Sequence, residues 1–287
     1  MDISIVEEGG FCFGVRRAIR LAEQATREFD HIYSLGPLIH NRQVVDQLVA
    51  AGLEVVADLA QVPDGAPVMI RAHGAGPAVY AQAQARGMEV IDATCPFVDR
   101  VQRKAQEFAE LGYQVLVLGE ADHPEPRAIV EHSRGQATIV EGREDLANLQ
   151  PDKRVAIVAQ TTQRLDALQE LVAVVLPRVD ELAVANTICE ATATRQQASV
   201  AQAQAVDLMI VVGGYHSANT RRLAQICAAT GTTTQHIETA DEIDPQWLVG
   251  VARVGVTAGA STPPEAVAAV AERLRQLADD SARGGAP

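Results

Sequence analysis

"MEVIDATCPFVDRVQRKAQEFAELG", residues 88–112, contains a strand, a turn and a helix in one stretch. The apolar run around Val90 and Ile91 stops at Thr94-Cys95-Pro96, and a helical pattern takes over from Phe97. The arrangement recurs on both sides. Cys12 lies between "ISIVEEGG" and "VRRAIRLAEQA", and Cys189 between "LAVANTI" and "ATATRQQASVAQAQA". Cys95 is 83 residues from Cys12 and 94 from Cys189, close to one small α/β domain each way.

Further out, "HIYSLGPLIHN", "APVMIRAHGAGP", "YQVLVLGEADHPE", "RVAIVAQTTQ", "DLMIVVGGYHSAN" and "VGVTAGASTPPE" each run from a short apolar segment into a polar or Gly/Pro loop. Helical patterns over 15–28, 97–112, 163–177, 191–205 and 264–279 lie between such segments. This alternation predicts an α/β fold of three similar small domains with parallel sheets. The expected domains are 13–95, 96–188, and 1–12 joined to 189–280, followed by a disordered tail at 281–287. In parallel sheets, ligand groups come from loops at the carboxyl ends of strands.

The 287 residues are 47% hydrophobic and 21% charged, with a net charge of −13. An acidic chain without clustered Lys and Arg does not offer a general nucleic-acid surface. With aromatics at 3%, stacking platforms for single strands are not expected either. No apolar run approaches the ~20 residues of a membrane span. The start "MDISIVEEGG" lacks the basic region of a secretory signal, so a cytoplasmic protein is expected.

Four scattered cysteines without a C-x-x-C pair do not read as a disulfide framework. Cys227, in helical spacing beside Leu223 and Ile226, reads as core. Cys12, Cys95 and Cys189 precede helices, where the dipole and unpaired N–H groups favour the thiolate. Three converging thiolates suit an iron–sulfur cluster or zinc, with one coordination position left open for substrate. His40, His73 and His123 sit in Gly/Pro-rich loops after strands, as donors to an oxyanion or as proton relays. His31, His132 and His236 lack that setting and read as solvated; His216 lies in a loop without an assigned role. "AQTTQ", "GGYHSANT" and "GASTPPE" place Thr161, Ser217, Asn219 and Ser261 at strand ends. Singly such residues read as helix caps, and together they read as an anion pocket of neutral dipoles. Glu125, two residues after His123, is the carboxylate of this set, suited to general-acid work if enclosed. No P-loop or G-x-G-x-x-G motif is present.

Taken as an ordered set, "GFCFGVRRAI", "GPLIHN", "AHG", "DATCP", "HPE", "QTT", "ICEATATRQ", "GGYHSAN" and "GAST" resemble the LytB-type family of 4-hydroxy-3-methylbut-2-enyl diphosphate reductases, over residues 1–280. The resemblance implies three α/β domains in a trefoil around a central 4Fe-4S cluster with three cysteine ligands, Cys12, Cys95 and Cys189, and one open iron. It implies diphosphate binding by His40, His73, His123, Ser217, Asn219 and Ser261. It also implies catalytic roles for Glu125, Thr161 and His123 in reductive dehydroxylation of an allylic diphosphate, with ferredoxin or flavodoxin as electron donor. Three positions depart from the family pattern. Ala218 replaces a second serine, 126–129 read Pro-Arg-Ala-Ile where Val-Glu-Gly-Thr is usual, and Glu190 follows the third cysteine. Those departures leave open a homologue acting on a different allylic or phosphorylated alcohol; a reading of another class, a non-catalytic iron–sulfur or anion sensor, would need neither Glu125 nor Thr161.

Overall fold

The computed structural model describes residues 1–147 and 149–284, apart from the side chains of 147 and 281–284. The chain opens with β1 (Asp2–Ile5) and α1 (Phe13–Glu28), then runs β2 (Ile32–Leu35), α2 (Arg42–Ala50), β3 (Leu53–Val56), β4 (Pro67–Ile70), α3 (Pro77–Ala85) and β5 (Glu89–Asp92). It continues through α4 (Pro96–Glu110), β6 (Gln114–Leu118), α5 (Pro124–His132), β7 (Ala137–Val140), β8 (Arg154–Ala159), α6 (Leu165–Val175) and β9 (Glu181–Val184). The last stretch is α7 (Glu190–Ala203), β10 (Leu208–Val212), α8 (Ala218–Ala228), β11 (Thr233–Ile237), β12 (Arg253–Ala258) and α9 (Pro264–Gly284).

Among the described residues the strands form three four-stranded sheets, ordered β3-β2-β4-β5, β7-β6-β8-β9 and β11-β10-β12-β1. Every pairing is parallel, and the order is the same in each sheet. The third sheet takes its fourth strand from the chain's beginning, with Asp2 opposite Arg253 and Ile5 opposite Val256.

The central strands are apolar on both faces because helices cover both. All of "LMIVV" in β10 is buried. Leu208, Ile210 and Val212 point to Val270 and Leu274 of α9, while Met209 and Val211 pack with Ala203, Leu223 and Cys227. In the second sheet Leu116 and Ile157 face Leu168 and Leu171 of α6, and Val117 and Val158 face Val101 and Ile129. In the first, Val68 and Val56 pack with Ala83 of α3. The edge strands β1, β5 and β9, "DISI", "EVID" and "ELAV", share one burial pattern with both ends exposed. An acidic residue at such an exposed end discourages pairing with another chain.

The helices α2, α3, α5 and α8 lie outside the helical patterns read from the sequence, and two of them show how loop residues start a helix. α5 starts directly after His123, whose ring caps it, with Pro124 supplying a pre-set φ for the first turn. α8 starts after Ser217, whose hydroxyl accepts from the Thr220 N–H. The helix α9 continues to Gly284, into the stretch 281–287 expected as a tail; residues 285–287 lie outside the described residues. Among the described residues no helix is long and apolar enough to cross a membrane. The chain divides into two compact units: Met1–Cys12, His40–Val44 and Glu190–Pro287 form one, and Phe13–Ile39 with Val45–Cys189 form the other.

Candidate active site

The three cysteines named from the sequence occupy equivalent places in their sheets. Each follows an edge strand and directly precedes a helix: Cys12 follows β1 and precedes α1, Cys95 lies between β5 and α4, and Cys189 between β9 and α7. Each backbone N–H donates to a carbonyl two residues beyond the neighbouring strand: Cys12 to Ala260 (3.1 Å), Cys95 to Ala72 (3.0 Å), and Cys189 to Thr161 (2.9 Å). All three are partly exposed, whereas Cys227 is buried and burial pushes its thiol up to about 12. Helix N-termini favour the thiolate, and three soft thiolates suit an iron–sulfur group or zinc. The residues therefore fit the cluster that the family pattern implies.

In the larger unit, β6 and β8 deliver a buried acid and its partner. Glu125, in the first turn of α5, is 2% exposed. Its Oε1 accepts from the Thr161 N–H (2.6 Å) and its Oε2 from the Thr161 hydroxyl (3.0 Å). His123 Nδ1 accepts from the Glu125 N–H (3.2 Å), which in the neutral ring assigns the proton to Nε2. The His73 ring meets that of His123 edge to face, centroids 5.1 Å apart. This unit thus brings His73, His123, Glu125 and Thr161 together, with Cys189 held on the Thr161 carbonyl.

In the other unit, Ser217 caps α8, and Asn219 lies buried in its first turn. The Asn219 Nδ2 is buried without a hydrogen-bond partner among the described residues. An orphaned buried donor is costly unless something accepts from it. Ser261, after β12, donates through Oγ to the His40 carbonyl (3.1 Å), and Asn41 Oδ1 accepts from the Val44 N–H (3.0 Å), which together fix the His40 turn. Gly259 is required here, because a Cβ at that position would run into the Thr220 hydroxyl. Ala218 is buried and offers no side-chain donor.

Several positioning residues escaped the sequence reading. Buried Arg195 on α7 donates Nε to the Glu8 carbonyl and Nη2 to that of Gly10, both at 2.8 Å, fixing the loop before Cys12. Arg17 donates to the carbonyls of Thr94 (3.0 Å) and Asp92 (3.4 Å), fixing the turn before Cys95. Thr187 accepts from the Ala159 N–H and donates to the Ala159 carbonyl, fixing the approach to Cys189. Two histidines expected to be solvated are half-buried instead. His132 Nε2 contacts the Ala75 carbonyl (3.1 Å) and His236 Nε2 that of Gly213 (2.8 Å), both loop carbonyls far along the chain. His31 remains exposed, paired with Glu54, and His216 is exposed. Glu190, the first residue of α7, is exposed, and Arg127 is tied to Asp122 and the Ala121 carbonyl.

Comparisons with known proteins agree with one another. A family model described as LytB protein matches residues 3–275. The 4-hydroxy-3-methylbut-2-enyl diphosphate reductase of Geobacter metallireducens is 47% identical over 99% of this chain and 99% of its own length. The corresponding reductase of Geobacter sulfurreducens is 45% identical over 99% of this chain and all of its own. Among solved structures, the E-1-hydroxy-2-methyl-but-2-enyl-4-diphosphate reductase from Plasmodium falciparum superposes with a TM-score of 0.89 at 30% identity, covering 96% of this chain and 87% of that one. A structure described as (E)-4-hydroxy-3-methyl-but-2-enyl diphosphate reductase, the terminal enzyme of the non-mevalonate pathway, superposes with a TM-score of 0.69 at 40% identity, covering 96% and 100%.

Proposed function

Since the chain belongs to the LytB protein family, we propose that it reduces 4-hydroxy-3-methylbut-2-enyl diphosphate, with two electrons and two protons, to isopentenyl or dimethylallyl diphosphate and water. Cys12, Cys95 and Cys189 hold a 4Fe-4S cluster with one open iron, and a ferredoxin or flavodoxin supplies the electrons. One sheet belongs to each of three domains, 13–95, 96–188, and 1–12 with 189–280, and Cys12, Cys95 and Cys189 stand at the domain boundaries. When bound, such a cluster supplies the electrons and a Lewis-acidic iron.

The chain's own groups do the rest. His40, His73, His123, Ser217, Asn219 and Ser261 bind the diphosphate, and the orphaned Asn219 Nδ2 supports that assignment. A neutral His123 with its proton on Nε2 donates to an anion without adding a charge that must be compensated. Glu125 and Thr161 move the proton. Protonated at Oε2, Glu125 donates to Thr161 Oγ1 across the 3.0 Å contact, and the threonine hydroxyl turns its own proton toward the leaving oxygen. Burial of the pair keeps bulk water from short-circuiting the transfer.

The observation that carries this reading is the threefold recurrence of a cysteine after an edge strand, each anchored on the neighbouring strand's loop. The test is anaerobic reconstitution with iron and sulfide. Cys12→Ser, Cys95→Ser and Cys189→Ser are each expected to lose the cluster's visible absorption, and Cys227→Ser to keep it. Full iron content in any of the first three would overturn the assignment.

A further inference from the structure

The larger unit contains a cleft of about 250 Å³ that includes none of the cysteines, histidines, Glu125 or Thr161 among its lining residues. It opens between the carboxyl ends of β2 and β4, the turn after β3, and the helices α3 and α5. Leu35, Leu59, Ile70 and Val79 give it aliphatic walls. At one end stands Arg71, half-buried, with no hydrogen bond or ion pair to its guanidinium among the described residues. Its guanidinium lies against Gly36, where φ is +78° and a Cβ would sit 2.5 Å from Nη1. A side chain at that position would displace the group.

A half-buried guanidinium is only partly hydrated, and an anion that meets its planar fork replaces that water with charge-assisted hydrogen bonds. Burial lowers Arg71 from its ordinary range, but not enough to make an arginine neutral. The other charges on the walls select the anion. Arg127 is neutralised by Asp122 (2.5 Å), and Asp58 and Glu131 add two carboxylates. Arg71 is then the one cation that can meet an anion directly, and the two carboxylates oppose any further negative charge on the ligand. Arg127 and Ala128, on the α5 wall, belong to the stretch 126–129 in which this sequence departs from the family pattern.

We propose that this cleft binds a small monocarboxylate with an apolar body, its carboxylate forked on Arg71 and its hydrocarbon between Leu35, Leu59 and Val79. The site is distinct from the reduction site and goes beyond the proposed activity. The test is calorimetric titration of the full-length, cluster-reconstituted protein with hexanoate, acetate and pyrophosphate. Hexanoate is expected to saturate at one per chain and acetate to bind at least tenfold more weakly. In Arg71→Met, hexanoate affinity should fall tenfold or more while pyrophosphate binding stays within twofold. Val79→Trp, which fills the cleft from α3, should abolish hexanoate binding and serves if Arg71→Met does not fold. Absence of hexanoate binding to the parent, equal affinity in either variant, equal affinity for acetate, or displacement of hexanoate by pyrophosphate would each overturn the proposal.

Discussion

Replacing Glu125 by glutamine separates the acid's chemistry from its structural role. The carboxyl is buried and bonded twice to Thr161, through the backbone N–H at 2.6 Å and the hydroxyl at 3.0 Å. A glutamine keeps both contacts, with its amide oxygen toward the N–H and its amide nitrogen donating to Oγ1. With Glu125 protonated, as the transfer requires, acid and amide alike make neutral hydrogen bonds of ~0.5–1.5 kcal/mol each, and neither buries a charge. The exchange is nearly isosteric and keeps both partners, so net stability should move by only about 1 kcal/mol. The proton, however, is gone. General-acid loss lowers turnover by about 10²–10⁴-fold, or roughly 3–5 kcal/mol in the barrier. The assay is anaerobic turnover of 4-hydroxy-3-methylbut-2-enyl diphosphate per cluster, with urea unfolding run in parallel. The expected pattern is a collapsed kcat, a KM near the parent value and an unchanged unfolding midpoint. A Glu125→Gln enzyme retaining more than a tenth of parental kcat at equal iron content would refute the reasoning, as would a raised KM with kcat intact.

Three further outcomes follow from other parts of the fold. The native Cys227 thiol ionises near 12 against an ordinary 9, so its contribution to stability is fully present below pH 9 and is lost as pH rises toward 12. At pH 10 the loss is about 1.4 kcal/mol, and urea unfolding at pH 8 and pH 10 should show this part of the slope in the parent but not in Cys227→Ala. Asn219→Ala removes a buried donor that has no partner among the described residues, so unfolding stability should hold while pyrophosphate affinity drops tenfold or more; equal affinity would separate Asn219 from the anion. Gly259→Ala drives a methyl into buried Thr220 and should destabilise by about 1–3 kcal/mol, with Thr220→Ala restoring much of the loss in thermal unfolding; an unaffected single variant would contradict the close approach.

Strand–helix alternation was legible because parallel sheets covered on both faces need apolar runs such as "LMIVV" and "RVAIVA". The cysteine repeat was legible because each thiol stands at the same junction of edge strand and helix. What escaped depends on partners far along the chain. Arg195 looks like any polar helix residue until its guanidinium is found on the carbonyls of Glu8 and Gly10. Arg17 and Thr187 act the same way on distant backbone, and His132 and His236 were misread because a carbonyl acceptor leaves no mark in sequence. α5 was hidden by its own prolines: Pro124 and Pro126 read as a break, yet the first turn of a helix needs no N–H from them. The apolar Cys227, by contrast, was settled by helical spacing alone.

Sheet pairing between β1 and β12, whose partners Asp2 and Arg253 are 251 residues apart, has a consequence during translation. The Asp2–Arg253 register and the Cys12–Ala260 hydrogen bond cannot form until those distant residues leave the ribosome. At ~5–20 residues per second, the amino-terminal thiol therefore waits on the order of 12–50 s on the nascent chain without its native anchor. Delivery of inorganic sulfide and iron to a finished site is thereby postponed until Ala260 has emerged.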